Sequence, residues 1–137
     1  MISNFDDLQD AIDTPCDEKI AVAAATGTTT LAAVDRARRE GVAGAVLVGD
    51  RDEMRKSAEE IGMDLADYEV HDVPDPAEAA KVAVEEVSSG RASVYMKGYI
   101  HTSAFLRAAL DSEVGLRTEH LLSHVFVLDA RHVGRLL

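Results

Sequence analysis

Aromatic residues make up only 4% of this 137-residue chain, and tryptophan is absent. A core without large rings has to be built from Val, Ile, Leu and Ala, a composition that suits strands buried on both faces of a parallel sheet. The single cysteine, Cys16, excludes an internal disulfide and fits a reducing compartment. Its only basic neighbour in sequence is Lys19, so it reads as incidental rather than nucleophilic. Basic residues are scarce as well: 14 Lys and Arg stand against 25 Asp and Glu, for a net charge of -11. That balance argues against a nucleic-acid partner, and an anionic ligand would need a local basic pocket working against the overall field. No apolar run approaches membrane-spanning length. The opening Met1-Ile2-Ser3-Asn4-Phe5-Asp6-Asp7 has neither a basic n-region nor an apolar h-region. No membrane partner and a cytoplasmic location are therefore expected.

What the chain does have is 47% hydrophobic residues in short bounded runs, enough for one domain with a packed core. Phe5, Leu8 and Ile12 recur at helical spacing behind Ser3 and Asn4, and Thr14-Pro15 closes that first helix. Lys19 to Ala25, Ala43 to Val48, Tyr68 to Asp72 and Ser93 to Met96 read as strands, the third near a sheet edge because it alternates. A further strand is expected over Leu121 to Leu128. Helices fill the intervals. One runs from about Thr29 to Glu40, with Leu31, Val34 and Ala37 on one face and Gly41 as a left-handed stop. A second begins at Asp50, three residues before Glu53, and ends at Gly62; a third begins at Asp75-Pro76 with Glu78 at N3. A short helix covers Thr102 to Leu110. Strands and helices thus alternate at intervals of about 25 residues, which predicts a three-layer, doubly wound α/β fold: a mostly parallel sheet with helices on both faces. With no linker, low-complexity tract or sequence repeat, residues 1–137 read as a single domain.

Two segments carry polar groups where doubly wound folds place ligands. Met96-Lys97-Gly98-Tyr99-Ile100-His101-Thr102 follows a strand. Lys97 supplies a point charge for phosphate, Gly98 lets backbone approach a ligand closely, and Thr102 with Ser103 opens a helix whose free N–H groups can hold an anion. Plain N-capping by Thr102 accounts for that hydroxyl equally simply. Gly115-Leu116-Arg117-Thr118 precedes Leu122-Ser123-His124-Val125-Phe126. Arg117 can fork onto phosphate or carboxylate, or cap a helix end. Ser123 and His124 would point to opposite faces of a strand and so cannot form a nucleophile–base dyad, although each can meet a ligand separately. His101, His120, His124 and His132 do not match a zinc motif, and no metal is expected. Thr26-Gly27-Thr28-Thr29-Thr30 is a hydroxyl-rich turn without a GxGxxG pattern, read first as a helix start; the Lys97 loop lacks the glycine spacing of a Walker loop.

The order of Lys19–Ala25, Ala43–Asp50, Asp75–Ala80, MKGYIHT and GLRT…LSHVFV resembles the phosphate acetyltransferase/phosphate butyryltransferase family, the butyryl branch more closely, over essentially the whole chain. The resemblance implies an N-terminal portion: the first, incomplete domain of an isocitrate/isopropylmalate-dehydrogenase-like fold, without the C-terminal catalytic half. It implies the reaction of acyl-CoA with phosphate to give acyl phosphate and CoA, in a cleft between two domains. CoA or acyl-CoA and phosphate would be substrates, with no tightly bound cofactor. The expected partner is a second copy in a dimer, or a complementing C-terminal half. By the same resemblance Lys97, Gly98, His101 and Thr102 line the cleft, and Arg117, Ser123 and His124 lie near phosphate or the CoA phosphates. The loops around Lys97 and Arg117 would form one wall of the pocket. No catalytic residue is assigned in this chain, since the family's catalytic Ser, Arg and Asp belong to the other half. Where the family has a basic residue before Leu-Ser-His, this chain has Leu121. That departure suits a second reading, a non-catalytic CoA- or phosphate-binding or regulatory module, while the exposed strand edges of an unfinished sheet suit a third, an assembly-only remnant.

Overall fold

Short runs rich in Val, Ile, Leu and Ala, and one alternating segment, become the strands of a sheet, and the amphipathic stretches between them become its helices. The computed structural model describes residues 4–11, 17–123, 125, 129–130 and 135–136. In chain order the elements are α1 (Phe5–Asp10), β1 (Lys19–Ala23), α2 (Thr28–Arg39), β2 (Gly44–Gly49), α3 (Arg51–Ile61), a 3₁₀ turn (Leu65–Asp67), β3 (Glu69–Asp72), α4 (Pro76–Ser88), β4 (Val94–Lys97), α5 (Thr102–Ala109), β5 (Asp129–Ala130) and β6 (Arg135–Leu136). The chain divides into two units, Cys16–Arg117 and a smaller one made of Met1–Pro15 with Thr118–Leu137.

In the larger unit four strands pair in the order β3-β2-β1-β4, all parallel. Ala21 of β1 sits opposite Val46 on one side and Tyr95 on the other, which fixes the register at the sheet's centre. Side chains alternate between the faces. Ala21, Ala23, Val46 and Val48 pack against Ala79, Ala80, Ala83 and Val84 of α4 and Ala108 of α5. Val22, Ala45 and Leu47 pack against Leu31 and Val34 of α2 and Met54 and Ala58 of α3. Helices therefore cover both faces, as the alternation of elements predicts. The buried core is aliphatic apart from two methionines, and the alanine-rich face brings α4 close to β1. The rings of Tyr95 and Phe105 stack at 4.1 Å at the margin of that face.

Local chemistry sets the helix ends. The Asp50 carboxylate accepts from the Glu53 N–H at 2.9 Å, and Asp75 accepts from the Glu78 N–H at 2.9 Å with Pro76 opening α4. Gly41 and Gly62 take left-handed conformations just past α2 and α3 (φ 70° and 69°), where a Cβ would be strained. Replacing Asp50 by Ala removes a cap, and urea denaturation is expected to show a loss of about 1 kcal/mol.

The smaller unit contains α1, whose Asn4 side chain accepts from the Asp7 N–H at 2.8 Å, and an antiparallel pair in which Asp129 faces Leu136 and Ala130 faces Arg135. The strand expected over Leu121 to Leu128 is not seen where the chain is described: Leu121, Leu122, Ser123 and Val125 have no regular structure and are exposed, Leu121 to 96%. Apolar content makes a strand only where a neighbour supplies a ladder and a face to bury, and among the described residues these four have no ladder partner. His124 and 126–128 lie outside the described residues. So do Cys16 and His132.

Candidate functional site

The sheet order creates a crevice. From β1 the chain winds outward through β2 to β3; α4 then carries it back across the sheet to β4, on the other side of β1. The loops leaving β1 and β4 thus depart from adjacent strands at a topological switch point, where open α/β sheets bind ligands.

The two loops are tied together through backbone. The Gly98 N–H donates to the Ala23 carbonyl at 2.9 Å and the Tyr99 N–H to the Ala24 carbonyl at 2.8 Å. A Cβ on Gly98 would lie 2.3 Å from the Ala24 oxygen and 2.6 Å from that of Ala23, so glycine is required for this approach. Ala24 is left-handed, with φ 54°, a conformation that alanine adopts at a cost of roughly 1–2 kcal/mol. Strain of this kind persists where surrounding contacts over-determine the backbone. Ala25 bonds to the Val48 carbonyl at 3.0 Å, and the Ser57 hydroxyl donates to the Thr26 carbonyl at 2.5 Å, which completes the clamp.

Beyond this clamp lies an open cavity of ≈290 Å³ lined by Lys97, Gly98, Tyr99, Ile100 and His101. The Lys97 ammonium makes only a 3.5 Å contact with the Gly98 carbonyl, and among the described residues no carboxylate reaches it. The four helices that follow the strands differ in how they begin. α3 and α4, away from the switch point, have Asp caps. α2 and α5, which flank it, begin at Gly27 and His101 with no side-chain cap and no acidic residue in the first turn. In α5 the N–H groups of Ala104 and Phe105 turn back to the His101 carbonyl. The N–H groups of Thr102 and Ser103 have no acceptor among the described residues. Free N–H groups, the positive end of a helix dipole and an unpaired lysine together make a site suited to anionic oxygen. Below it Tyr95 reaches the carbonyls of Ala80 and Phe105 at 3.4 and 3.3 Å. Burial pushes its phenol well above the ordinary value, so it stays a neutral prop under α5.

Of the residues singled out from sequence, Lys97, Gly98 and His101 line the cavity and Thr102 begins the helix beside it. Arg117 is exposed and is not among the residues lining this cavity. It follows a tight turn in which Asp111 accepts from the N–H groups of Glu113 and Val114 at 2.8 and 3.1 Å, bonds that hold the Asp111 carboxyl below its usual range. Ser123 is exposed in the smaller unit, and His124 lies outside the described residues. Sequence reasoning passed over Tyr99, which is 78% exposed, and Ile100; their position between Lys97 and His101 was the available signal.

Comparison with known proteins gives the lineage. Phosphate butyryltransferase from Clostridium beijerinckii is 44% identical over all 137 residues, which cover 45% of its own length. The chain belongs to the phosphate acetyltransferase/phosphate butyryltransferase family. Phosphate butyryltransferase from Clostridium acetobutylicum is 43% identical over the whole chain, covering 46% of that protein, and phosphate acetyltransferase from Thermotoga maritima is 38% identical over 112 residues. The chain therefore spans less than half the length of these curated relatives. Among solved structures, the EutD phosphotransacetylase from Staphylococcus aureus aligns with 78% of this chain and 42% of its own, at a TM-score of 0.64 and 15% identity. A branched-chain phosphotransacylase from Enterococcus faecalis aligns with 68% of this chain and 33% of its own, at 0.52 and 22%. At those identities the structural matches speak for the α/β fold alone. No sequence-family profile matches the chain.

Proposed function

We propose that this chain forms the phosphate- and CoA-facing wall of a phosphate acyltransferase, which converts acyl-CoA and phosphate to acyl phosphate and CoA. The observation that carries the reading is the meeting of Lys97, which no carboxylate reaches among the described residues, with the uncapped start of α5 at the switch point, in a chain related along its whole length to phosphate butyryltransferases. In the reaction a phosphate oxygen attacks the thioester carbonyl, the carbon–sulfur bond breaks, and the departing CoA thiolate takes a proton. Both substrates are anionic, and negative charge gathers on the carbonyl oxygen as the new bond forms. This chain contributes attraction and placement: Lys97 neutralises a phosphate, and the N–H groups of Thr102 and Ser103 fix its oxygens, which brings the reactants within attacking distance. His101 stands at the mouth of the same cavity as a further donor. CoA and phosphate enter as substrates, and no resident cofactor is required.

The direct test is release of CoA from butyryl-CoA in the presence of phosphate, accompanied by calorimetry of CoA and phosphate binding. Lys97→Met is expected to weaken binding of both anions by about ten- to a hundredfold, the size of a charge-assisted hydrogen bond. Thermal stability should hardly change, since among the described residues the ammonium has one long contact to lose. Unchanged affinity in this variant would remove Lys97 from the site.

A further inference from the structure

On the β3 edge of the sheet, among residues that the switch-point site does not use, lies a mixed cluster of histidine and carboxylates. Glu69 and His71 stand two apart on β3 and so share a face, and Glu86 reaches the same place from α4. One oxygen from each glutamate and one ring nitrogen of His71 lie within 4.8 Å of one another. Glu86 is only 2% exposed. The decisive atom is His71 Nε2, which is inaccessible to solvent and has no hydrogen-bond partner among the described residues. Its nearest oxygens are Glu69 Oε1 at 3.4 Å and Glu86 Oε1 at 3.6 Å. A buried ring nitrogen left unpaired in this way calls for a missing occupant.

The separations indicate what that occupant is. An ion bound tetrahedrally at about 2.1 Å keeps its ligand atoms about 3.4 Å apart. Distances of 3.4 and 3.6 Å match that edge. A proton on Nε2, in the neutral tautomer or in the cation, would still find no aligned acceptor among the described residues. We propose that Glu69 Oε1, His71 Nε2 and Glu86 Oε1 bind a divalent transition ion of the zinc class, which would fasten the edge strand to α4. The neighbouring cations leave room for it. Lys19 Nζ holds the other Glu69 oxygen at 3.1 Å, while Arg91 Nε takes Glu86 Oε2 at 2.9 Å. Arg91 also donates to Glu86 Oε1 at 2.9 Å, and that oxygen keeps a second lone pair. Lys19 and Arg91 thus act as the outer partners that orient ligating carboxylates. Water would complete the coordination from the side of Glu69, whose side chain is 46% exposed.

The experiment is competition of the chelator-stripped chain with a chromophoric chelator for Zn²⁺, together with thermal unfolding with and without Zn²⁺. One Zn²⁺ per chain is expected, with a raised Tm. His71→Ala and His71→Gln, each checked for folding by circular dichroism, should weaken binding at least about tenfold and abolish the shift. His120→Ala should bind like the parent. The proposal is overturned if the parent takes up no Zn²⁺, if both His71 variants bind as tightly as the parent, or if stability responds to pH but not to Zn²⁺.

Discussion

Gly98→Ala is expected to lower the stability of the chain by about 3 kcal/mol and its Tm by on the order of 15 °C. The new methyl would stand 2.3 Å from the Ala24 oxygen and 2.6 Å from that of Ala23, both backbone atoms inside the sheet's central pairing. No rotamer change can relieve that overlap, so β4 and its loop must move away from β1. Movement breaks the bonds from the Gly98 and Tyr99 N–H groups to Ala23 and Ala24; the buried Ala23 carbonyl loses its Gly98 donor, while that of Ala24 keeps the Thr26 N–H at 2.9 Å. Because Lys97 and His101 lie on the displaced segment, CoA and phosphate affinity should fall in the same variant. Gly44→Ala is the control: its Cβ would meet Lys19 Cγ at an ordinary 3.5 Å. Urea denaturation of the two variants separates the cases, and a loss below about 0.5 kcal/mol for Gly98→Ala would contradict the clamp described above.

The parts of this fold that were legible in the sequence are those governed by short-range chemistry. Asp50 with Glu53, and Asp75 with Pro76 and Glu78, announce helix starts because a cap is decided within four residues. β1, β2 and β4 were legible as short apolar runs and β3 by its alternation, and the aliphatic core follows from the shortage of rings. The order β3-β2-β1-β4 was not, because the return of α4 across the sheet is a long-range event with no local mark. The left-handed Ala24 was also hidden, since alanine has no preference for that conformation; the need to present two carbonyls to Gly98 and Tyr99 accounts for it. For the site, Lys97, Gly98, His101 and Thr102 could be found because they are contiguous. Glu69, His71 and Glu86 could not: their spacing fits no motif, and only the packing of α4 against the β3 edge brings them together. The strand expected over Leu121 to Leu128 rested on apolar content alone, and where that run is described it pairs with no other described strand.

Arg91→Ala should be the second costly change, and its cost should depend on pH. Glu86 is buried on α4, and both of its oxygens receive Arg91, through Nε and a terminal nitrogen at 2.9 Å each. That fork, ahead of the opposing effect of burial, holds the Glu86 carboxyl below the usual carboxylate range. Truncating Arg91 leaves an ionised carboxylate almost out of reach of water, beside His71 and a second carboxylate, Glu69. Breaking a buried pair from one side costs about 3–5 kcal/mol; because the Arg91 side chain is itself largely exposed, about 2–3 kcal/mol is expected at pH 7. The sign with pH follows from linkage. A group whose folded pKa is depressed stabilises the fold above its unfolded pKa, about 4.3 for glutamate, and loses that contribution as pH falls through the folded value. The parent should therefore shed this stability below about pH 4, and the gap between parent and variant should narrow there. Glu86→Gln combined with Arg91→Ala removes the stranded charge and should recover most of the loss at pH 7. Urea denaturation at pH 7 and at pH 3.5 reads both effects, and a gap that stayed constant with pH would show that Arg91 acts through packing rather than through its charge on Glu86.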